Sequence, residues 1–200
     1  MIEALRNAFK LPDLRRRMLY TLLILVIFRM ASNVPVPGVD RQALNAFFNS
    51  ATATRQFADL LDLLSGGAVS NFSVLAAGVY PYVTAQIVLQ LLLPIFPKLE
   101  QRIQEEGDEG QRKMNQWTFY LTVPLAALSA FGQAQLFRSA SVGARPILPD
   151  FGWGPGKTLP TLTIMLTMTA GTMFAVWLGE LITEQGIGNG LSLIIFGGIV

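Results

Sequence analysis

The chain has 200 residues, of which 52% are hydrophobic and only 14% are charged. Soluble domains carry about a quarter charged residues, so this composition excludes an ordinary soluble domain and favours an integral membrane protein. The charge balance of 15 basic to 13 acidic residues argues against direct nucleic-acid specificity. The sequence has no Cys and no His, which excludes disulfides, zinc sites and nucleophiles paired with histidine.

The chain begins with a predicted cytoplasmic segment, 1–17, whose apolar residues Ile2, Leu5 and Phe9 share one helical face. This pattern is typical of an interfacial helix, although a frayed tail fits it equally well. A first span is predicted over 18–34. Its single charge, Arg29, lies about 9 Å of helix from the outer end, which a snorkelling side chain can cover. A signal peptide is disfavoured because no small-residue cleavage site follows.

An external region is predicted over 35–72, since two prolines and a glycine between Pro35 and Asp40 end the first helix. Apolar residues at 57, 60, 61 and 64 then share a helical face over two turns, too short to cross a bilayer. The run stops at Gly66 and Gly67. Two interpretations remain open: a short helix in a cavity mouth, or one at the lipid headgroups.

Long stretches without charge predict the remaining spans. A second span covers 73–97, a third 114–137 and a fourth 158–180, and a fifth begins at 190–200. The connecting segments are 98–113, 138–157 and 181–189. The N-terminal tail carries five basic residues, 35–62 carries two, 98–113 carries four and 138–157 carries three. By the positive-inside rule this order places the N-terminus, 98–113 and 181–189 in the cytoplasm.

A set of motifs spread over the whole chain carries a family resemblance. It runs through Pro35–Asp40, Ser65–Ala68, Ser70–Ser73, Ala77–Gly78, Pro81–Tyr82, Glu106–Gly107, Gly110, Arg112–Lys113, Thr172, Trp177–Glu180, Ile182–Glu184 and Gly186–Gly190. In order and spacing these residues resemble the SecY family, the central subunit of the bacterial protein-conducting channel. Gln104, Glu105, Asp108 and Gln111 depart from the family pattern, which leaves the cytoplasmic contacts of that loop open.

The resemblance implies an all-α, polytopic helical bundle that is the first five-helix half of a ten-helix inverted-repeat channel. On this interpretation the chain is truncated within its fifth helix. The implied function is the pore-forming subunit of the Sec translocon, a channel and not an enzyme, which passes unfolded secretory polypeptides across the bacterial plasma membrane and releases membrane-protein helices laterally. It implies no cofactor.

The partners that the resemblance implies are the SecE and SecG subunits, signal sequences and nascent polypeptides, and the lipid bilayer. The SecA ATPase, the ribosome or both would bind on the cytoplasmic side. Arg112 and Lys113 are the implied contacts for such a cytoplasmic partner.

Three further sets of site residues follow from the resemblance. An apolar pore ring would include Val79, Val83, Leu191 and Ile195. A plug would include Leu60, Leu61, Leu63, Leu64, Ser65, Gly66, Gly67 and Asn71. The second and third spans would form one side of the lateral gate, with polar residues drawn from Thr84, Gln86, Gln90, Asn115 and Gln116. Spacing alone is also compatible with ordinary helix packing for the ring, and with ordinary interhelical hydrogen bonds for the gate.

Two other functions are compatible with a polytopic helical protein. A secondary transporter also uses inverted repeats and glycine-broken helices, but it normally needs an intramembrane carboxylate. In this sequence the Asp and Glu residues lie outside the uncharged stretches or at a span end, as Glu180 does, which argues against a transporter. An intramembrane protease would need a Ser–His dyad or paired intramembrane aspartates, which the sequence does not contain.

Overall fold

The computed structural model describes residues 12–49, 56, 59–60, 62, 67–139 and 146–199. Over these residues the chain is helical, and its one extended pairing is an isolated antiparallel bridge between Pro35 and Ser73. The helices are α1 Pro12–Ala31, α2 Arg41–Asn49, α3 Tyr80–Leu92, α4 Pro97–Glu106, α5 Asp108–Ser139, α6 Thr158–Gln185 and α7 Gly190–Ile199, with a short 3₁₀ helix, Leu93–Ile95, after α3.

Two side chains just after α1 bond a carbonyl group in its last turn. Ser32 Oγ and Asn33 Nδ2 both donate to Arg29 O, at 2.7 and 2.9 Å. The helix therefore ends at Ala31 and not at Val34, and it begins at Pro12, ahead of the predicted start at 18. Proline at the first position fits a helix start, because its missing N–H would have no partner there.

Helix α2 lies where the sequence analysis expected only a polar external segment. Asp40 begins it, since Asp40 Oδ1 accepts hydrogen bonds from the amides of Gln42 and Ala43 at 2.8 and 3.2 Å. The helix buries Ala43, Leu44 and Phe47 and exposes its polar side. The spacing of these three residues is amphipathic, so the signal for this helix was present in the sequence.

The second predicted span is shorter than expected as a helix. Residues 74–79 form turns, and α3 begins at Tyr80 rather than near 73. Gly78 has a φ of +56°, which interrupts helical geometry, and Pro81 sits in the first turn, where a proline is tolerated.

The cytoplasmic segment predicted over 98–113 is largely a helical hairpin. Helix α4 ends at Glu106. The next residue, Gly107, has a φ of +56°, which reverses the chain, and α5 starts immediately afterwards at Asp108. A Cβ on Gly110 would lie within 2.3 Å of Ile103 O, so the two helices touch at backbone distance. Helix α5 then continues for 32 residues and contains Pro124 in its interior.

Two apolar clusters hold the helices together. One cluster joins α2, the 68–76 segment, α5, the 147–151 segment and α6, and contains the edge-to-face ring pairs Phe47–Phe137 and Phe72–Phe137, at 5.7 and 5.0 Å. The other joins α1, α3, α6 and α7 around Ile24, Phe28, Val79, Ile182 and Ile194. Helix α6 belongs to both clusters and packs on α1, α5 and α7.

One described helix, Thr158–Gln185, is long and apolar enough by itself to cross a membrane, and Tyr80–Ile95 is a shorter apolar run. Helix α1 contains the basic cluster Arg15–Arg17 and Arg29, and α5 contains several polar residues. These charged and polar residues lower the mean hydropathy of the two helices.

We expect Gly171→Ala to destabilise the fold, because a Cβ on Gly171 would lie 2.0 Å from Val74 O and 2.6 Å from Val74 Cγ1. Overpacking of this kind costs about 1–3 kcal/mol. Gly132→Ala is the matched control, since Gly132 is also inside a helix but nothing lies within 4 Å of its Cβ position. Thermal unfolding of the full-length protein in detergent should give a lower Tm for Gly171→Ala and an unchanged or higher Tm for Gly132→Ala. Equal Tm values for the two variants would contradict the contact.

Candidate functional site

The segment 68–79 leads into the second predicted span and is held by backbone hydrogen bonds on one side. Val36 N donates to Phe72 O at 3.0 Å, and Val74 N donates to Val34 O at 2.9 Å. Within the segment, Ser73 N donates to Ala68 O at 2.8 Å, and the buried Ser73 Oγ accepts from Leu75 N at 3.1 Å. These bonds tie the residues just after α1 to the segment before α3, and they therefore fix where α3 begins.

Three of the four pore-ring candidates meet in one apolar cluster. Val79 is 5% exposed and belongs to the cluster around Ile24 and Ile194, and Leu191 and Ile195 pack against that cluster. Val79 is the N-cap residue of α3, and its carbonyl accepts from the amide of Val83 at 3.2 Å. Val83 is half-buried one turn further on. One apolar cluster therefore includes branched side chains from the start of α3 and from α7.

A close crossing of α6 and α7 places Leu191. A Cβ on Gly190 would lie 1.8 Å from Gly179 O, and a Cβ on Gly179 would lie 2.8 Å from Leu191 Cδ2. Thr183 Oγ1 also accepts a hydrogen bond from Gly190 N at 2.9 Å. The glycine spacing noted in the sequence thus serves close helix packing, which explains why neither helix carries a side chain at the contact.

Of the predicted plug residues, the structure describes Leu60, Gly67 and Asn71; Leu61, Leu63, Leu64, Ser65 and Gly66 lie outside the described residues. Leu60 and Asn71 are exposed. Gly67, with a φ of +79°, donates its N–H to Asp62 O at 2.9 Å, and Asp62 Oδ1 accepts from Ser70 N at 2.6 Å. A Cβ on Gly67 would lie 3.8 Å from Arg29 Nη1, so the Arg29 side chain reaches this turn.

The lateral-gate candidates lie on two helices that pack together, α3 and α5. Gln86, Gln90, Asn115 and Gln116 are exposed. Thr84 is half-buried and bonds its own helix, donating from Oγ1 to Tyr80 O at 3.0 Å. The contact between the helices includes the rings of Tyr82 and Phe119, 5.6 Å apart.

The predicted cytoplasmic contacts, Arg112 and Lys113, are both exposed near the start of α5. Lys113 Nζ forms an ion pair of 2.6 Å with Glu106 Oε2 across the hairpin. A surface pair of this kind contributes about 0–1 kcal/mol, so it orients the loop more than it stabilises the fold. Among the described residues, no group of three or more acidic, Cys or His side chains forms a metal site.

Gln133, in the C-terminal half of α5, was not predicted as a site residue. Gln133 Nε2 donates to Ala76 O at 3.4 Å, across 57 residues of chain. An amide within a largely apolar stretch was the signal that could have identified it, although Gln135 shares that signal.

The family model described as SecY matches residues 73–200. The "Protein translocase subunit SecY" of Streptomyces scabiei is 42% identical over 98% of this chain and 45% of its own length. The proteins of the same name from Thermotoga maritima and Thermus thermophilus are 43% and 41% identical over the whole of this chain. These matches cover 46% and 44% of the two relatives' own lengths. The chain therefore spans less than half of the curated relatives that it matches.

We expect Thr183→Val to loosen the crossing of α6 and α7, because it removes the oxygen that accepts from the amide of the buried Gly190. A buried N–H without a partner costs about 1–3 kcal/mol. Thr163→Val is the control, since the Thr163 hydroxyl bonds only its own helix, at Leu159 O. Thermal unfolding in detergent should lower the Tm for Thr183→Val alone; a similar decrease for both variants would refute the role of this bond.

Proposed function

Because this chain belongs to the SecY family, we propose that it forms the N-terminal part of the pore-forming subunit of the Sec translocon. The observation that carries the proposal is the similarity to protein translocase subunits over nearly the whole chain. The proposed activity is the passage of unfolded secretory polypeptides across the membrane and the lateral release of membrane-protein helices. The ten-helix, inverted-repeat architecture is part of the same proposal.

An apolar cluster shared by the start of α3 and by α7 supports the proposed pore ring. Val79, Leu191 and Ile195 present branched apolar side chains in one cluster. Such side chains offer a moving peptide no hydrogen-bonding partner, so they surround it without binding it strongly. A narrow apolar constriction also resists wetting, which limits the leak of ions when the channel is shut.

The plug and the lateral gate are proposed from the same membership. The Gly67 turn supports a displaceable plug, since polar bonds join Asp62, Gly67, Ser70 and Asn71 and the Arg29 side chain reaches it. The packed pair α3 and α5 supports one side of a gate. Polar contacts between membrane helices are worth about 0.6 kcal/mol on average, which is weak enough for a gate that opens.

The proposed location is the bacterial plasma membrane with the N-terminus in the cytoplasm. This orientation puts the hairpin of α4 and α5, with Arg112 and Lys113, on the cytoplasmic side. Both side chains are exposed, as a contact for the SecA ATPase or the ribosome requires. SecE and SecG are the proposed partner subunits, in line with the word "subunit" in the names of the relatives.

The test of the proposed function places one Cys at Val79 or Val83 of the full-length protein, with any other cysteines removed. A stalled secretory precursor that carries its own Cys should then form a disulfide with either position. Val88→Cys is the matched control, because Val88 is exposed and lies nine residues after Val79, about half a turn round the same helix.

A disulfide at Val79 or Val83, with none at Val88, is the expected result. If the precursor is stalled in the channel and neither Val79 nor Val83 reacts, these side chains do not line the polypeptide path and the ring proposal fails.

A further inference from the structure

Gln133 lies on α5 beside a series of buried apolar residues. On the same helix Ala126, Ala130, Ala134 and Phe137 are each 0% exposed. Gln133 Oε1 is buried and has no hydrogen-bond partner within the part of the chain that the structure describes. A buried acceptor without a donor is unfavourable, and an apolar side chain of the same size would avoid it. Packing alone therefore does not account for an amide at this position.

What the amide gains is a hydrogen bond to the backbone of a distant segment. Gln133 Nε2 donates to Ala76 O at 3.4 Å. Ala76 lies three residues before Val79, in the turns that lead into α3. In this segment Ala76 N donates to Ser73 O at 2.9 Å and Gly78 N donates to Leu75 O at 2.7 Å, so the carbonyl of Ala76 belongs to a compact, bonded unit.

A different helix contacts the same segment at Val74. Gly171 of α6 approaches Val74 so closely that a Cβ would lie 2.0 Å from Val74 O. The segment is thus held between α6, through a backbone contact, and α5, through the side chain of Gln133. Because Val79 follows directly, the position of its side chain depends on both helices.

We propose that Gln133 is a positioning residue that ties the proposed gate helix α5 to the turn ending on Val79, so that the gate and the constriction move together. The proposal rests on the function proposed above and adds to it a physical link between two of its parts. It requires that loss of the bond leaves the fold intact but frees the turn. A coupling of this kind acts through a contact that both elements share.

The test uses the full-length protein with Val79→Cys as the sole cysteine, reconstituted in liposomes without a precursor. The rate of modification of that Cys by a membrane-impermeant thiol reagent is measured in three further backgrounds, Gln133→Leu, Gln133→Met and Gln135→Leu. Gln135→Leu is the matched control, because Gln135 is exposed on the same helix. Thermal unfolding of each variant is recorded alongside.

We expect both Gln133 variants to keep their Tm and to react about two- to tenfold faster, the factor that corresponds to the loss of one neutral hydrogen bond. Gln135→Leu should react at the parent rate. The proposal is overturned if the Gln133 variants react at the parent rate, if Gln135→Leu reacts equally fast, or if both Gln133 variants fail to fold, which would make Gln133 a packing residue. A precursor disulfide at Val79 tests the channel function separately, so that function stands or falls independently of this result.

Discussion

The structure depends on burying a non-helical segment, 73–79, between helices of a membrane protein. Its backbone N–H and C=O groups need partners, because lipid provides none. The segment obtains them from the end of α1, through the pairing of Val74 with Val34, from its own turns, and from Gln133. Because Gly171 has no side chain, α6 can pack closely against the segment at Val74. The start of α3, and with it Val79, follows from these contacts.

Close packing at small residues recurs where the helices cross. Gly179 and Gly190 let α6 and α7 touch at the backbone, and Gly110 does the same for α4 and α5. Helices in a membrane gain little from hydrophobic exclusion of water, so contact of this kind and interhelical hydrogen bonds supply much of their association. The glycines around 186–190 therefore position Leu191 and Ile195 toward the cluster that contains Val79.

Much of the helical architecture could be predicted from the sequence, because charges and prolines mark the ends of apolar stretches. The family was predicted from dispersed motifs and is confirmed. The all-α class is confirmed for the described residues, while the ten-helix arrangement stays a prediction. The site residues also stay predictions. Val79, Leu191 and Ile195 share one apolar cluster, which is compatible with a pore ring and with ordinary packing.

Other features depend on tertiary contacts that hydropathy does not encode. The late start of α3 at Tyr80 follows from the positive φ of Gly78 and from the bonds of the turn that precedes it. The amphipathic α2 is short, and its apolar residues find their partners, such as Phe137, far along the chain. The hydrogen bond of Gln133 depends on the folded chain, which brings Ala76, 57 residues away in sequence, beside it.

The central claim is that the 73–79 segment is a fixed unit and not a loose linker between spans. Hydrogen–deuterium exchange of the full-length protein in its resting state tests this claim directly. The amides of Val74, Ala76 and Gly78, which donate to Val34, Ser73 and Leu75, should exchange as slowly as those in the middle of α6. Exchange of these amides as fast as that of an exposed loop would contradict the account.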